Sequence, residues 1–135
     1  MHFKQFLNRS GKERGQTMAE FALVLPVFAL LLFGVIQFGI VFNNYVALTD
    51  AVRAGARTAA VSRHAADPED ATEDRLRDAA ANLDQGDLDV DVDASPGWEQ
   101  GAEVTVTATY PYSISLLGRV VFSGDLESST VERVE

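Results

Sequence analysis

The chain has 135 residues, 47% of them hydrophobic, with 20 acidic against 11 basic side chains for a net charge of −9, and no cysteine. That length leaves room for one anchor and one small domain. Without cysteine there is no disulfide, thiol nucleophile or thiolate metal site, and the acidic balance argues against nucleic acid as a partner, because its phosphates would repel it.

The charge is unevenly placed. Residues 1–15 hold Lys4, Arg9, Lys12 and Arg14 against Glu13, a net of +3, whereas residues 64–135 hold four basic and seventeen acidic side chains, a net of −13. A basic flank before an apolar segment and an acidic mass behind it predict an N-terminus in the cytoplasm. The first stretch, MHFKQFLNRSGKER, reads as a leader outside the fold, loose or forming one turn of interfacial helix. A secretory signal is the alternative, but its apolar core would be shorter, about 7–15 residues, with a small-residue cleavage site just behind it. Ala54-Gly55-Ala56 and Ala59-Ala60 imitate such a site far beyond the place it would need to occupy.

Residues 21–42, FALVLPVFALLLFGVIQFGIVF, form 22 positions without a charge, in which only Gln37 is strongly polar. As a helix this run spans roughly 33 Å, enough for a bilayer core of about 30 Å. Apolar residues on every face predict a transmembrane helix rather than the amphipathic helix of a soluble core. Pro26 removes one backbone hydrogen bond early in that helix and predicts a kink that a membrane helix tolerates.

Glu20 lies directly against the apolar run, where an ionised carboxylate is costly to dehydrate. It suits the first turn of a helix at the headgroup layer, or a cation supplied by another chain. Gly15, five residues upstream and preceded by basic residues, favours the second reading. A prepilin-type signal is cut after a Gly that precedes its apolar helix. Cleavage between Gly15 and Gln16 makes Gln16 the new N-terminus and Glu20 the fifth residue, so a neighbour's Glu20 can neutralise the new amine.

After Phe42 no Pro interrupts NNYVALTDAVRAGARTAAVSR, and the helix is predicted to run on to about residue 62. Its 47 residues, counted from Gln16, would extend about 70 Å. Ala47, Ala51, Gly55 and Ala59 recur every four residues as a stripe of small side chains that permits close helix packing. Packing against the chain's own domain and an intersubunit seam both explain such a stripe. Arg53 and Arg57 fall on another side as candidate polar contacts, with Asp50 three residues before Arg53.

Taken in order, Arg14-Gly15-Gln16, Ala19-Glu20-Phe21-Ala22-Leu23-Val24-Leu25-Pro26, Phe38-Gly39 and residues 47–57, ALTDAVRAGAR, resemble the TadE-like family of tight-adherence (Flp-type) pilus proteins. The resemblance implies a minor pilin or pseudopilin, processed by a prepilin peptidase and involved in building a pilus. It assigns Gly15 and Gln16 to processing, and Glu20, Phe21 and Pro26 to recognition and assembly. It also shifts the reading of the stripe toward assembly.

Beyond a break at residues 64–70, Asp67 and Pro68 predict the N-cap and first position of a second helix over residues 69–83. Its acidic start, Glu69, Asp70, Glu73 and Asp74, suits the helix dipole. The period then changes to two. Residues 88–93, LDVDVD, and residues 103–110, EVTVTATY, alternate as strands, with Ser95-Pro96-Gly97 as a turn between them. Pro111 predicts a strand end or an edge. Residues 116–122, LLGRVVF, read as a short helix or loop plugging the core, and residues 126–134 as a last strand.

No catalytic constellation is present. His2 and His64 are the two histidines and stand apart, no serine lies in a Gly-x-Ser-x-Gly turn, and no phosphate-binding loop occurs. Asp87, Asp89, Asp91 and Asp93 form the one metal-like stretch, a weak calcium candidate lacking the Gly and Glu of an EF-hand loop. A solvated strand face that discourages edge pairing explains them better.

The sequence therefore predicts an α+β protein in three parts: a cytoplasmic leader (1–15), a long helix (16–63, spanning the membrane at about 21–42) and an exported domain (64–135). It is read as a non-catalytic, single-pass protein of the bacterial inner membrane, without cofactor, for pilus assembly or incorporation. Its expected partners are the bilayer, a prepilin peptidase, other pilins and pilus assembly proteins, with oligomerisation through the N-terminal helix. An uncleaved, membrane-anchored binding module is the alternative.

Overall fold

The computed structural model describes residues 6–135, with side chains from residue 15 onward. The leader's Lys4, Arg9, Lys12 and Arg14 lie outside the described side chains. Two helices and three strands follow in the order α1 (Phe6–Val61), α2 (Pro68–Ala79), β1 (Asp89–Asp93), β2 (Glu103–Leu116) and β3 (Arg119–Arg133). The architecture is the α+β one that the sequence predicts. The chain divides into one unit ending at Phe38 and a second, Gly39–Glu135.

In the first unit, α1 already includes residues 6–14, so most of the leader is helical rather than loose or a single turn. Leu7, Lys12, Glu13 and Arg14 favour helix and no Pro intervenes. The helix also continues through Pro26. Every residue from Gly15 to Ile36 is exposed, apolar ones included. The stretch Gly15–Val61 is long and apolar enough to cross a membrane.

The second unit has its core where the C-terminal part of α1 meets α2 and the sheet. Leu48, Ala51, Val52, Ala56 and Ala59 of α1 are fully buried in one cluster with Leu76, Ala80, Val104, Val106, Ala108 and Val134. The core of this unit includes the buried face of α1, so a boundary at residue 64 leaves out one of its sides.

Asp67 caps α2 as expected, its carboxylate accepting from the backbone N–H groups of Glu69 and Asp70 at 3.1 Å each. The helix stops at Ala79 rather than near residue 83. Gln85 donates its amide to the Ala80 carbonyl at 2.9 Å, and Arg77 joins Glu73 at 2.8 Å while donating to the Leu88 carbonyl at 3.3 Å. These side chains satisfy the carbonyls of the turn that leads into β1.

The sheet is an antiparallel meander of order β1-β2-β3. The buried face of β2 carries Val104, Val106 and Ala108, and alternation holds through β1. Pro111 does not end β2, which runs to Leu116. β1 pairs only as far as Thr109, so Pro111 sits where β2 has a free edge and its missing N–H costs no ladder bond. Residues 116–122 are neither helix nor core plug. Leu116 pairs with Arg119, and Leu117 and Gly118 form a two-residue turn, both with positive φ (51° and 79°). Type I′ geometry of this kind matches the strand twist, but it normally takes Asn-Gly, which is why Leu-Gly gives no hairpin signal. β3 consequently begins at Arg119 rather than at residue 126.

Candidate functional site

Gly15 lies within α1, and a Cβ built on it meets nothing within 4 Å. The next residue, Gln16, donates its side-chain amide to Glu20 Oε1 at 3.1 Å, an exposed i,i+4 contact. That bond gives the carboxylate a neutral partner within its own helix. Gln16, Glu20 and the 64% exposed Phe21 therefore lie together on an uncovered segment, followed by Pro26 in the same helix. The arrangement places a carboxylate at the edge of an exposed apolar surface.

The small-residue stripe has a different environment. Ala51, Gly55 and Ala59 are buried and Ala47 is half-buried, all within the second unit. A Cβ on Gly55 would sit 3.1 Å from Leu76 Cβ and 3.4 Å from the Thr72 carbonyl oxygen. The closest approach of the stripe is to α2 of the same chain. Packing against the protein's own domain covers Ala51, Gly55 and Ala59 and leaves Ala47 half-exposed. Arg53 and Arg57 are both exposed on the opposite side. Arg53 reaches Asp50 at 3.7 Å with both side chains mostly in solvent, a pair worth little.

Asp89, Asp91 and Asp93 alternate outward along β1, while Asp87 precedes the strand. Among the described residues no group of three acidic or histidine side chains is placed to hold a metal.

One exposed feature escaped the sequence reading. Leu117 is 93% exposed, and Val120, Val121 and Phe122 are each more than 60% exposed at the tip of the β2–β3 hairpin. Their apolar character suggested a buried plug, and only the turn at Leu117-Gly118 carries them outward.

No curated protein and no solved structure matches this chain. A family model described as TadE-like protein matches residues 15–57. The resemblance to the TadE-like family thus holds over residues 15–57, which take in the exposed apolar helix and Ala47, Ala51 and Gly55 of the stripe, and ends before α2 and the sheet.

Proposed function

We propose that this chain is a TadE-like minor pilin or pseudopilin, a non-catalytic component for assembling a tight-adherence pilus. It is inserted with its N-terminus in the cytoplasm and cleaved after Gly15 by a prepilin peptidase. The observation that carries this reading is the match over residues 15–57 to the TadE-like family, whose first part, residues 15–36, is a helix exposed on every side. In this reading Gly15 is the small residue the peptidase requires and Gln16 the mature N-terminus. Glu20 recognises the amine of a neighbouring subunit, exchanging its local bond to Gln16 for a charge-assisted one. Phe21 and Pro26 belong to the same assembly surface, and the second unit supplies contacts to other pilus components. Arg53 and Arg57, exposed on α1, are available to those contacts.

Deleting the gene is expected to abolish piliation, with rescue by the wild-type chain and none by Glu20→Ala. Full piliation by the deletion strain would remove the assembly role. The second reading is an uncleaved anchored binding module, favoured by the stripe being occupied within the chain's own domain. It predicts normal function from Gly15→Ala.

A further inference from the structure

Beyond Thr109, where β1 stops pairing, β2 and β3 continue alone as a two-stranded ribbon. Between Glu103 and Asp125 there is no carboxylate, and Arg119 is the one charge in that window, in a region otherwise dominated by acidic side chains. The ribbon ends in Leu116, Leu117, Val120, Val121 and Phe122, with Leu117 at the turn itself and almost wholly exposed.

We propose that this hairpin tip, residues 116–122, inserts into the lipid surface of a bilayer, with Arg119 at the phosphate headgroups. Three features select lipid over a protein groove. The first is the distribution of apolar groups. A bulge at Val121, between the pairs Ile114–Phe122 and Ser115–Val120, puts Val120 and Phe122 on opposite faces of the ribbon, so one flat partner cannot cover both. Together with the turn residue Leu117 they suit a medium that surrounds the tip.

The second is charge. Anionic headgroups repel the acidic remainder of the domain, and the tip is the segment that lacks acids and brings a guanidinium, which binds phosphate well. The third is the backbone. A leucine at φ 51° occupies a conformation that favours Gly or Asn, and it places an apolar side chain where a water-exposed turn would carry a polar one. The tether is short as well, since five residues of α1 lie between Phe42, the last residue of the apolar run, and Leu48, the first fully buried residue of the second unit. Tethering of that kind makes a shallow, individually weak insertion effective.

The proposal rests on membrane anchoring by α1 and is independent of cleavage or pilus assembly. The natural chain lacks cysteine, so single spin labels are readily introduced. The full chain is reconstituted in vesicles of phosphatidylethanolamine and phosphatidylglycerol. Labels at Leu117→Cys, Asp91→Cys and Val35→Cys are then compared for accessibility to oxygen and to a water-soluble nickel chelate.

The expected result is that Leu117→Cys favours oxygen, as Val35→Cys does, while Asp91→Cys favours the chelate. Arg119→Glu should shift the Leu117 label toward the chelate. A chelate-accessible label at 117 beside an oxygen-accessible label at 35 would overturn the hairpin proposal alone. Loss of the lipid signature at 35 would overturn the anchoring beneath it. Shielding of 117 from both reagents, or spin–spin broadening between copies, would assign the tip to a protein partner instead.

Discussion

Gly55 of α1 faces Leu76 of α2, and the space for a side chain at position 55 is taken: a Cβ there would lie 3.1 Å from Leu76 Cβ. The two residues are 21 positions apart in sequence and define how closely the two helices approach. Gly55→Leu is expected to destabilise the second unit by about 1–3 kcal/mol, the range for inserting bulk into a packed core. Chemical denaturation of the full chain in detergent measures it. A stability equal to wild type would show that the approach is looser than the backbone separation indicates.

Leu76 is fully buried on the other side of that contact. Leu76→Ala removes side-chain volume from the buried cluster that also holds Val52 and Ala56. The expected loss is about 2–5 kcal/mol. A loss below that range would mean that α2 shifts to close the cavity.

Asp67→Ala deletes the acceptor of two backbone N–H groups at the start of α2. Loss of an N-cap costs about 1 kcal/mol. The same denaturation assay reads it, and Asp67→Asn, which keeps an acceptor oxygen, is expected to recover most of it.

Leu117→Gly is expected to act in the opposite direction. Relieving a left-handed leucine at φ 51° should stabilise the hairpin by about 1 kcal/mol. The side chain is almost wholly exposed, so little packing is lost in exchange. A decrease in stability would show that the Leu117 side chain is packed in the conditions of the measurement.

These relationships explain which features were legible in the sequence. The cap at Asp67, the alternation of residues 88–93 and the apolar run of residues 21–42 are local signals, each set by neighbours a few positions away. The partner of the small-residue stripe is not local. A period of four reveals a face on α1, and nothing in that period says whether Leu76 or another subunit covers it. The hairpin was hidden for a different reason. Residues 120–122, VVF, are apolar enough to resemble core, and the turn uses Leu-Gly where Asn-Gly would announce it. The TadE-like resemblance was legible as an ordered set of short motifs over residues 14–57, and the family model matches residues 15–57.

The most direct test of the central claim is the mass and N-terminal sequence of the protein from native membranes, for wild type beside Gly15→Ala and Glu20→Ala. The space around Gly15 is open, so an added methyl group creates no clash, and an effect of Gly15→Ala reports on processing rather than folding. The account predicts a wild-type chain beginning at Gln16, an uncleaved Gly15→Ala chain, and a Glu20→Ala chain that is cleaved but does not assemble. An intact chain from Met1 in all three would contradict it and leave the anchored binding module as the reading that stands.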